Sequence, residues 1–147
     1  MSAYRGNKKE RAALSTFVKL IRATESLSAN VHNPLREFGL TVSQFGVLEA
    51  LYHLGPMCQK DIAKKILKTT GNLTTVIVNL EKRGLIIRER AAEDRRYYQI
   101  ALTGKGRKTI ADLFPGHASR MTYLMGALTL DEQKELGRLC KKLSGRR

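Results

Sequence analysis

The sequence predicts a mainly α chain carrying one small β-hairpin. Apolar residues recur at helical spacing through most of its length, while residues 85–102 switch to two β-rich runs around a basic loop. Glycines or Gly-Pro pairs stand just past several of the helical runs, where a helix must stop. With 147 residues and 42% hydrophobic content, the chain is long enough to bury its own core, and a single domain over 1–147 is expected.

The first helix is expected from about Lys9 to Phe38, with Leu14, Phe17, Val18 and Ile21 on one stripe, extended by Leu27, Val31 and Leu35. Pro34 should bend or tighten its end, and Gly39 closes it. Thr41 and Gln44 then form a capping-box pattern ahead of Phe45, Val47, Leu48, Leu51 and Leu54, and Gly55-Pro56 stops that helix. A short helix from about Gln59 to Leu67 should bury Ile62, Ala63 and Ile66.

The stretch 69–103 organises the rest. Leu73, Val76, Ile77 and Leu80 give the next helix, about Thr70–Arg83, one apolar face, with Thr69 or Thr70 to cap it and Gly84 to end it. Its other face carries Gly71, Thr74, Thr75, Val78, Asn79 and Lys82, all small or polar, so nothing bulky holds a large partner away. Leu85–Arg90 and Tyr97–Leu102 read as strands, the second placing Tyr98, Ile100 and Leu102 on one side. The loop between them, residues 91–96, is too long for a two-residue turn and ends in Arg95-Arg96. Three short helices and an arginine-tipped hairpin make a winged helix-turn-helix, about 40–103. Its third helix would enter a major groove, and its wing a neighbouring minor groove.

After Thr103 the helical pattern returns with Ile110, Leu113 and Phe114, then Met121, Leu124, Met125 and Leu128. Pro115-Gly116 should kink or break this element. Thr129 and Glu132 form a further capping box, opening a last helix with Leu136, Leu139, Cys140 and Leu143. The helices of 9–38 and 104–145 are more apolar than a small winged module needs, which points to a partner subunit.

Charge supports a polyanion partner. The net charge is +14, and residues 60–109 hold thirteen Lys/Arg against five acidic residues. Residues 38–59 hold Glu49 alone among charged groups. A membrane surface fits less well, since no helix pairs a basic face with exposed large apolar residues. No run reaches the length of a membrane span and MSAYRGNKKER lacks a signal-peptide core, so a cytoplasmic protein is expected.

Several runs together resemble the MarR family of bacterial transcription regulators. They are Leu80-Glu81-Lys82-Arg83-Gly84-Leu85-Ile86-x-Arg88, then Asp94-Arg95-Arg96, then Ala101-Leu102-Thr103-x-x-Gly106. Upstream, Leu40-Thr41-x-x-Gln44-x-x-Val47-Leu48 and Gln59-Lys60-Asp61-Ile62-Ala63 extend the likeness over nearly the whole chain. The resemblance implies a homodimer built from the terminal helices, binding a palindromic double-stranded DNA operator, usually as a repressor. It also implies that Asp94 braces the wing, through Arg88, while Arg96 enters the minor groove. On the helix, Thr70, Asn72, Thr74, Thr75, Asn79 and Lys82 are the candidates for DNA contact, joined by Arg95 and Arg96 in the wing. Many members carry an arginine near Thr75 or Asn79, and this chain does not.

Members of that family often answer to a small phenolic or aromatic carboxylate effector, held between the dimer helices and the winged module. Arg22, His32, Tyr52 and His53 are the residues here that could line such a pocket. Cys58 stands where the short helix begins, with Lys60 close by, a setting that favours thiolate chemistry and hence redox sensing. The peroxide-sensing branch of the family, however, carries its reactive cysteine in the first helix, which here has none. Cys140 reads as apolar packing, and two cysteines make no disulfide framework. His32, His53 and His117 have no ligand spacing, so no metal is expected. No nucleophile with a base and no phosphate-cradling loop appears, so neither an enzyme nor a cofactor is expected. The residues leave open a basic winged-helix protein that binds RNA or associates with the ribosome.

Overall fold

The computed structural model describes residues 3–66 and 70–145; within its helices the side chains of residues 32, 33, 70 and 71 lie outside that description. The elements run α1 (Lys8–Glu37), α2 (Val42–Leu54), α3 (Gln59–Ile66), α4 (Thr70–Lys82), β1 (Ile86–Arg90), β2 (Tyr98–Leu102), α5 (Gly104–Met125) and α6 (Leu130–Leu143). The chain divides into two compact units, Met1–Ile110 and Ala111–Arg147, with the division falling inside α5.

In the first unit α1 starts one residue earlier than its apolar pattern suggests, because Asn7 and Glu10 form a reciprocal capping box. It runs through Pro34 and ends where Gly39 takes φ 65°, with the Leu40 N–H donating back to the Leu35 carbonyl at 3.1 Å. Thr41 and Gln44 make the expected capping box of α2, and Gly55 ends that helix at φ 81°. Helix α3 reaches Ile66, and the expected end at Leu67 lies outside the described residues, as does the expected cap at Thr69. Leu48, Leu51, Ile62, Leu73, Ile77, Leu80, Leu85, Ile86 and Ile100 form the fully buried centre.

The hairpin is antiparallel, with Arg88 opposite Ile100 and Arg90 opposite Tyr98. Each strand is one residue shorter than expected. The Leu85 N–H is committed to the Leu80 carbonyl, closing α4 over Gly84 (φ 71°), and the Tyr97 N–H is committed to Asp94 within the loop. The side-chain alternation expected for β2 is also incomplete, since Ile100 and Ala101 are both buried while Tyr98 is exposed. Met57 exchanges both backbone hydrogen bonds with Ile100, so the segment before α3 covers the base of the hairpin while its tip stands clear.

Thr103 opens α5 by two bonds: its hydroxyl donates to the Gly84 carbonyl at 2.6 Å and accepts from the Gly106 N–H at 3.0 Å. Gly106 lies so close to the end of α4 that a Cβ there would fall on the Leu85 carbonyl oxygen. That contact explains why a glycine stands three residues after the Thr103 cap rather than a better helix former.

Pro115-Gly116, expected to kink or break this element, does not break it; α5 is continuous through both. Proline removes one intrahelical bond, a cost that a long helix with apolar residues on both sides can absorb. In the second unit Thr129 and Glu132 form the expected capping box, and α6 leaves Leu136, Leu139 and Leu143 exposed. Cys140, expected in apolar packing, is exposed too. On α1 the stripe Leu14, Phe17, Val18 and Ile21 is likewise exposed.

Candidate nucleic-acid interface

Helix α4 buries Leu73, Ile77 and Leu80 and turns Asn72, Thr74, Thr75, Asn79 and Lys82 outward. Val76 and Val78 are half-buried at the edges of these faces. Thr70 lies within the helix, and its side chain is outside the described residues. At the other end of the helix-turn-helix, Gln59 at the start of α3 donates from Nε2 to the Thr74 hydroxyl at 2.9 Å. One of the outward threonines is therefore already engaged with the preceding helix. At its C-terminal end α4 is fixed by Arg83, whose Nη1 donates to the Gly39 carbonyl at 2.7 Å, and by Lys105, whose Nζ donates to the Arg83 carbonyl at 3.0 Å. Lys105 thereby meets the negative end of the α4 dipole, and the Arg83 guanidinium that of α1.

The wing is held by its own arginines. Asp94 accepts from Nε and Nη2 of Arg96, and its Oδ1 also accepts the Arg96 backbone N–H at 3.1 Å. The Arg96 side-chain bonds, then the backbone one, hold the Asp94 carboxyl below the ordinary aspartate value, and the same pair raises Arg96. Asp94 is tucked against the loop, whereas the Arg96 side chain is 82% exposed. Arg90 donates from Nη1 to the Arg95 carbonyl at 2.7 Å, with its guanidinium 4.3 Å from the Tyr98 ring centroid.

The expected pairing of Asp94 with Arg88 is not what forms. Arg88 sits mid-hairpin, opposite Ile100, and its Nε donates to Glu81 on α4 at 2.9 Å. Arg88 therefore anchors the hairpin to the outward helix, several residues back from the loop. Two groups missed in the sequence are Glu81 and Arg90. The cross-strand pairing of Arg90 with Tyr98 carried a signal for the second, since a cation opposite an aromatic at a strand end is a natural stack.

The remaining candidates lie on α1, on α2 and in the segment before α3. Arg22 lines an open groove of about 560 Å³ on α1 with Tyr4, Arg11, Leu14, Ser15, Val18 and Lys19. Tyr52 and His53, at the end of α2, meet edge to face at 5.2 Å and are not among the residues lining that groove. The His32 side chain lies outside the described residues. Cys58 is half-buried, and its carbonyl accepts the first N–H groups of α3, from Asp61 and Ile62. Among the described residues no group of three or more His, Cys, Asp or Glu is placed to hold a metal ion, and no helix is long and apolar enough to cross a membrane.

A model of the MarR family matches residues 40–98, which span α2 through the start of β2. The chain is 35% identical over 130 residues to the HTH-type transcriptional regulator YkoM of Bacillus subtilis, covering 88% of this chain and 84% of that one. It is 32% identical over 131 residues to the HTH-type transcriptional regulator MhqR of the same organism, covering 89% and 90%. Among solved structures, BpsR of Bordetella bronchiseptica, whose DNA binding is regulated by 6-hydroxynicotinic acid, superposes with a TM-score of 0.78 at 26% identity, covering 88% of this chain and 98% of that one.

Proposed function

The chain belongs to the MarR family of transcription regulators, and on that premise we propose that it is a homodimeric repressor of a palindromic DNA operator. The observation that carries this reading is the pairing of an outward polar α4 with a wing whose Arg96 is already held in place by Asp94. In this reading the whole of 1–147 acts as one domain. Thr70, Asn72, Thr74, Thr75, Asn79 and Lys82 face the major groove, and Arg95 and Arg96 the minor groove, where a narrow groove's negative potential attracts arginine. Burying the exposed leucines of α6 and the apolar stripe of α1 against a second copy supplies the driving force for the dimer.

A small aromatic or phenolic effector releases the operator. The regulation of BpsR by a hydroxylated aromatic acid supports this, and Arg22, His32, Tyr52 and His53 remain the residues proposed to receive it. The protein works in the cytoplasm, where its DNA is.

The test is selection of duplexes from a random DNA pool by the full-length protein, followed by footprinting with and without excess RNA. Recovery of a two-fold-related site with half-sites about one helical turn, ~10 bp, apart supports the reading. Binding abolished by RNA competitor would turn it towards an RNA-binding protein.

A further inference from the structure

Of the hairpin's four arginines, Arg90 and Arg96 are tied into the wing itself, and they are tied differently. Arg96 is held by a carboxylate and leaves its outer edge in solvent. Arg90 is the last residue of β1, directly across from Tyr98, the first of β2. Its guanidinium lies over the Tyr98 ring at 4.3 Å, and its Nη1 reaches across the loop to the Arg95 carbonyl at 2.7 Å. The Ala91 N–H, one residue on, bonds to the Tyr97 carbonyl at 2.9 Å and closes the loop's neck. The ring, the guanidinium and the Arg95 peptide thus form a stack that fixes where the loop leaves the strands.

We propose that Arg90 is a positioning residue for DNA binding. It braces the wing through Tyr98 and the Arg95 carbonyl and makes no phosphate contact of its own. The inference rests on the DNA-binding reading above and assigns a role that a count of basic residues would miss, since by charge alone Arg90 is indistinguishable from Arg95. A planar, forked guanidinium is needed, because a lysine ammonium can supply the charge but cannot both stack flat on the ring and donate sideways to the carbonyl. Fixing the loop before binding removes an ordering cost that the complex would otherwise bear.

The experiment uses the full-length protein and the duplex recovered by the selection above. Arg90→Ala, Arg90→Lys, Tyr98→Ala and Tyr98→Phe are compared for affinity across a salt series. The brace predicts that Arg90→Ala and Arg90→Lys each weaken binding on the order of tenfold. It also predicts that their log–log salt slopes match the parent's, since no phosphate contact is lost. Tyr98→Ala should match Arg90→Ala, the double variant should be no weaker than either, and Tyr98→Phe should bind as the parent does.

A slope reduced by about one per wing in Arg90→Ala, or an Arg90→Lys that binds normally, would overturn the proposal and make Arg90 a phosphate contact. A second readout stands apart from DNA binding. Nitrogen-15 relaxation at residues 92–96 of the DNA-free protein should show a more mobile loop in Arg90→Lys and Tyr98→Ala, and unchanged order there would also refute the brace. Failure of the parent to select any duplex would instead strike the DNA reading and leave the relaxation result to judge the brace.

Discussion

Asp94 holds Arg96 by the Nε–Nη2 edge of its guanidinium, at 3.1 and 2.8 Å, so the other edge of the same group faces solvent. A guanidinium has five donors in a plane, and a carboxylate engages only one side of it. The pair therefore presents Arg96 instead of sequestering it, and it fixes the rotamers of a long side chain before DNA arrives.

The pH dependence of this pair follows from its direction. Asp94 titrates below its ordinary value when folded, so the pair's contribution is fully present above the ordinary value of 3.8. It is lost as pH falls through the lowered folded value. Carbon-detected NMR titration should place the Asp94 midpoint below 3.8 in the parent and return it towards that value in Arg96→Ala. At neutral pH, Arg96→Ala should weaken every duplex and lower the salt slope by about one per wing. Asp94→Ala should be milder, leaving the slope intact while loosening the wing. An Arg96→Ala variant that binds all duplexes as the parent does would mean that the wing does not reach DNA.

The close approach of α5 to the end of α4 gives a stability prediction. Any Cβ at position 106 meets the Leu85 carbonyl, a backbone atom that cannot swing aside, whereas a Cβ at 104 meets nothing within 4 Å. Gly106→Ala should therefore cost at least about 2 kcal/mol of unfolding free energy, as overpacking against a fixed backbone does. Gly104→Ala, in the first turn of the same helix, should be neutral or slightly stabilising. Paired urea melts of the two variants make the comparison, and equal stability would show that the two helices can slide apart freely.

Most of the architecture is legible from local patterns, because capping boxes and glycine stops are chemistry within four residues. Thr41 with Gln44, Thr129 with Glu132, and Gly84 after α4 all form as their spacing implies. What spacing could not reveal is which distant charge each arginine meets. Arg88 finds Glu81 and not Asp94 because the hairpin folds back along α4, a tertiary fact with no periodic trace. The pairing Gln59 with Thr74 is hidden for the same reason. The continuity of α5 through Pro115 shows that a local helix-breaking signal does not by itself end a helix with apolar residues on both sides of it. The exposure of Cys140 and of the leucines beside it marks a limit of another kind, since an apolar stripe does not say whether its cover lies in the same chain.

That stripe carries the third prediction. Leu139 is 46% exposed in the single chain, so Leu139→Glu should leave the fold intact, as judged by an unchanged helical circular dichroism signal. In a dimer the same carboxylate would be buried without a partner, a penalty of several kcal/mol. Light scattering should then find a monomer at micromolar concentration, with tight operator binding lost alongside. A variant that stays dimeric and binds normally would place the interface elsewhere.

The last prediction separates base reading from backbone attraction on α4. Asn79 and Lys82 are both exposed on the outward side, three residues apart, and so lie on neighbouring turns of one surface. An asparagine amide can pair with both N6 and N7 of adenine, whereas a lysine beyond the helix's centre chiefly meets phosphate. Asn79→Ala should therefore cost ~1–3 kcal/mol on the selected duplex, with preference relaxed at one base pair per half-site and the salt slope unchanged. Lys82→Ala should weaken matched and mismatched duplexes alike and reduce the slope by about one per half-site. Thr75→Ala belongs with Asn79 if its hydroxyl or methyl meets a base edge, and its loss should relax a different position. The measurement is a Kd matrix of these variants against single-base operator mutants at fixed salt, followed by a salt series on the matched duplex. If Asn79→Ala weakens all duplexes equally, α4 does not read sequence through that residue, and the docking of its outward face must be rotated towards Asn72.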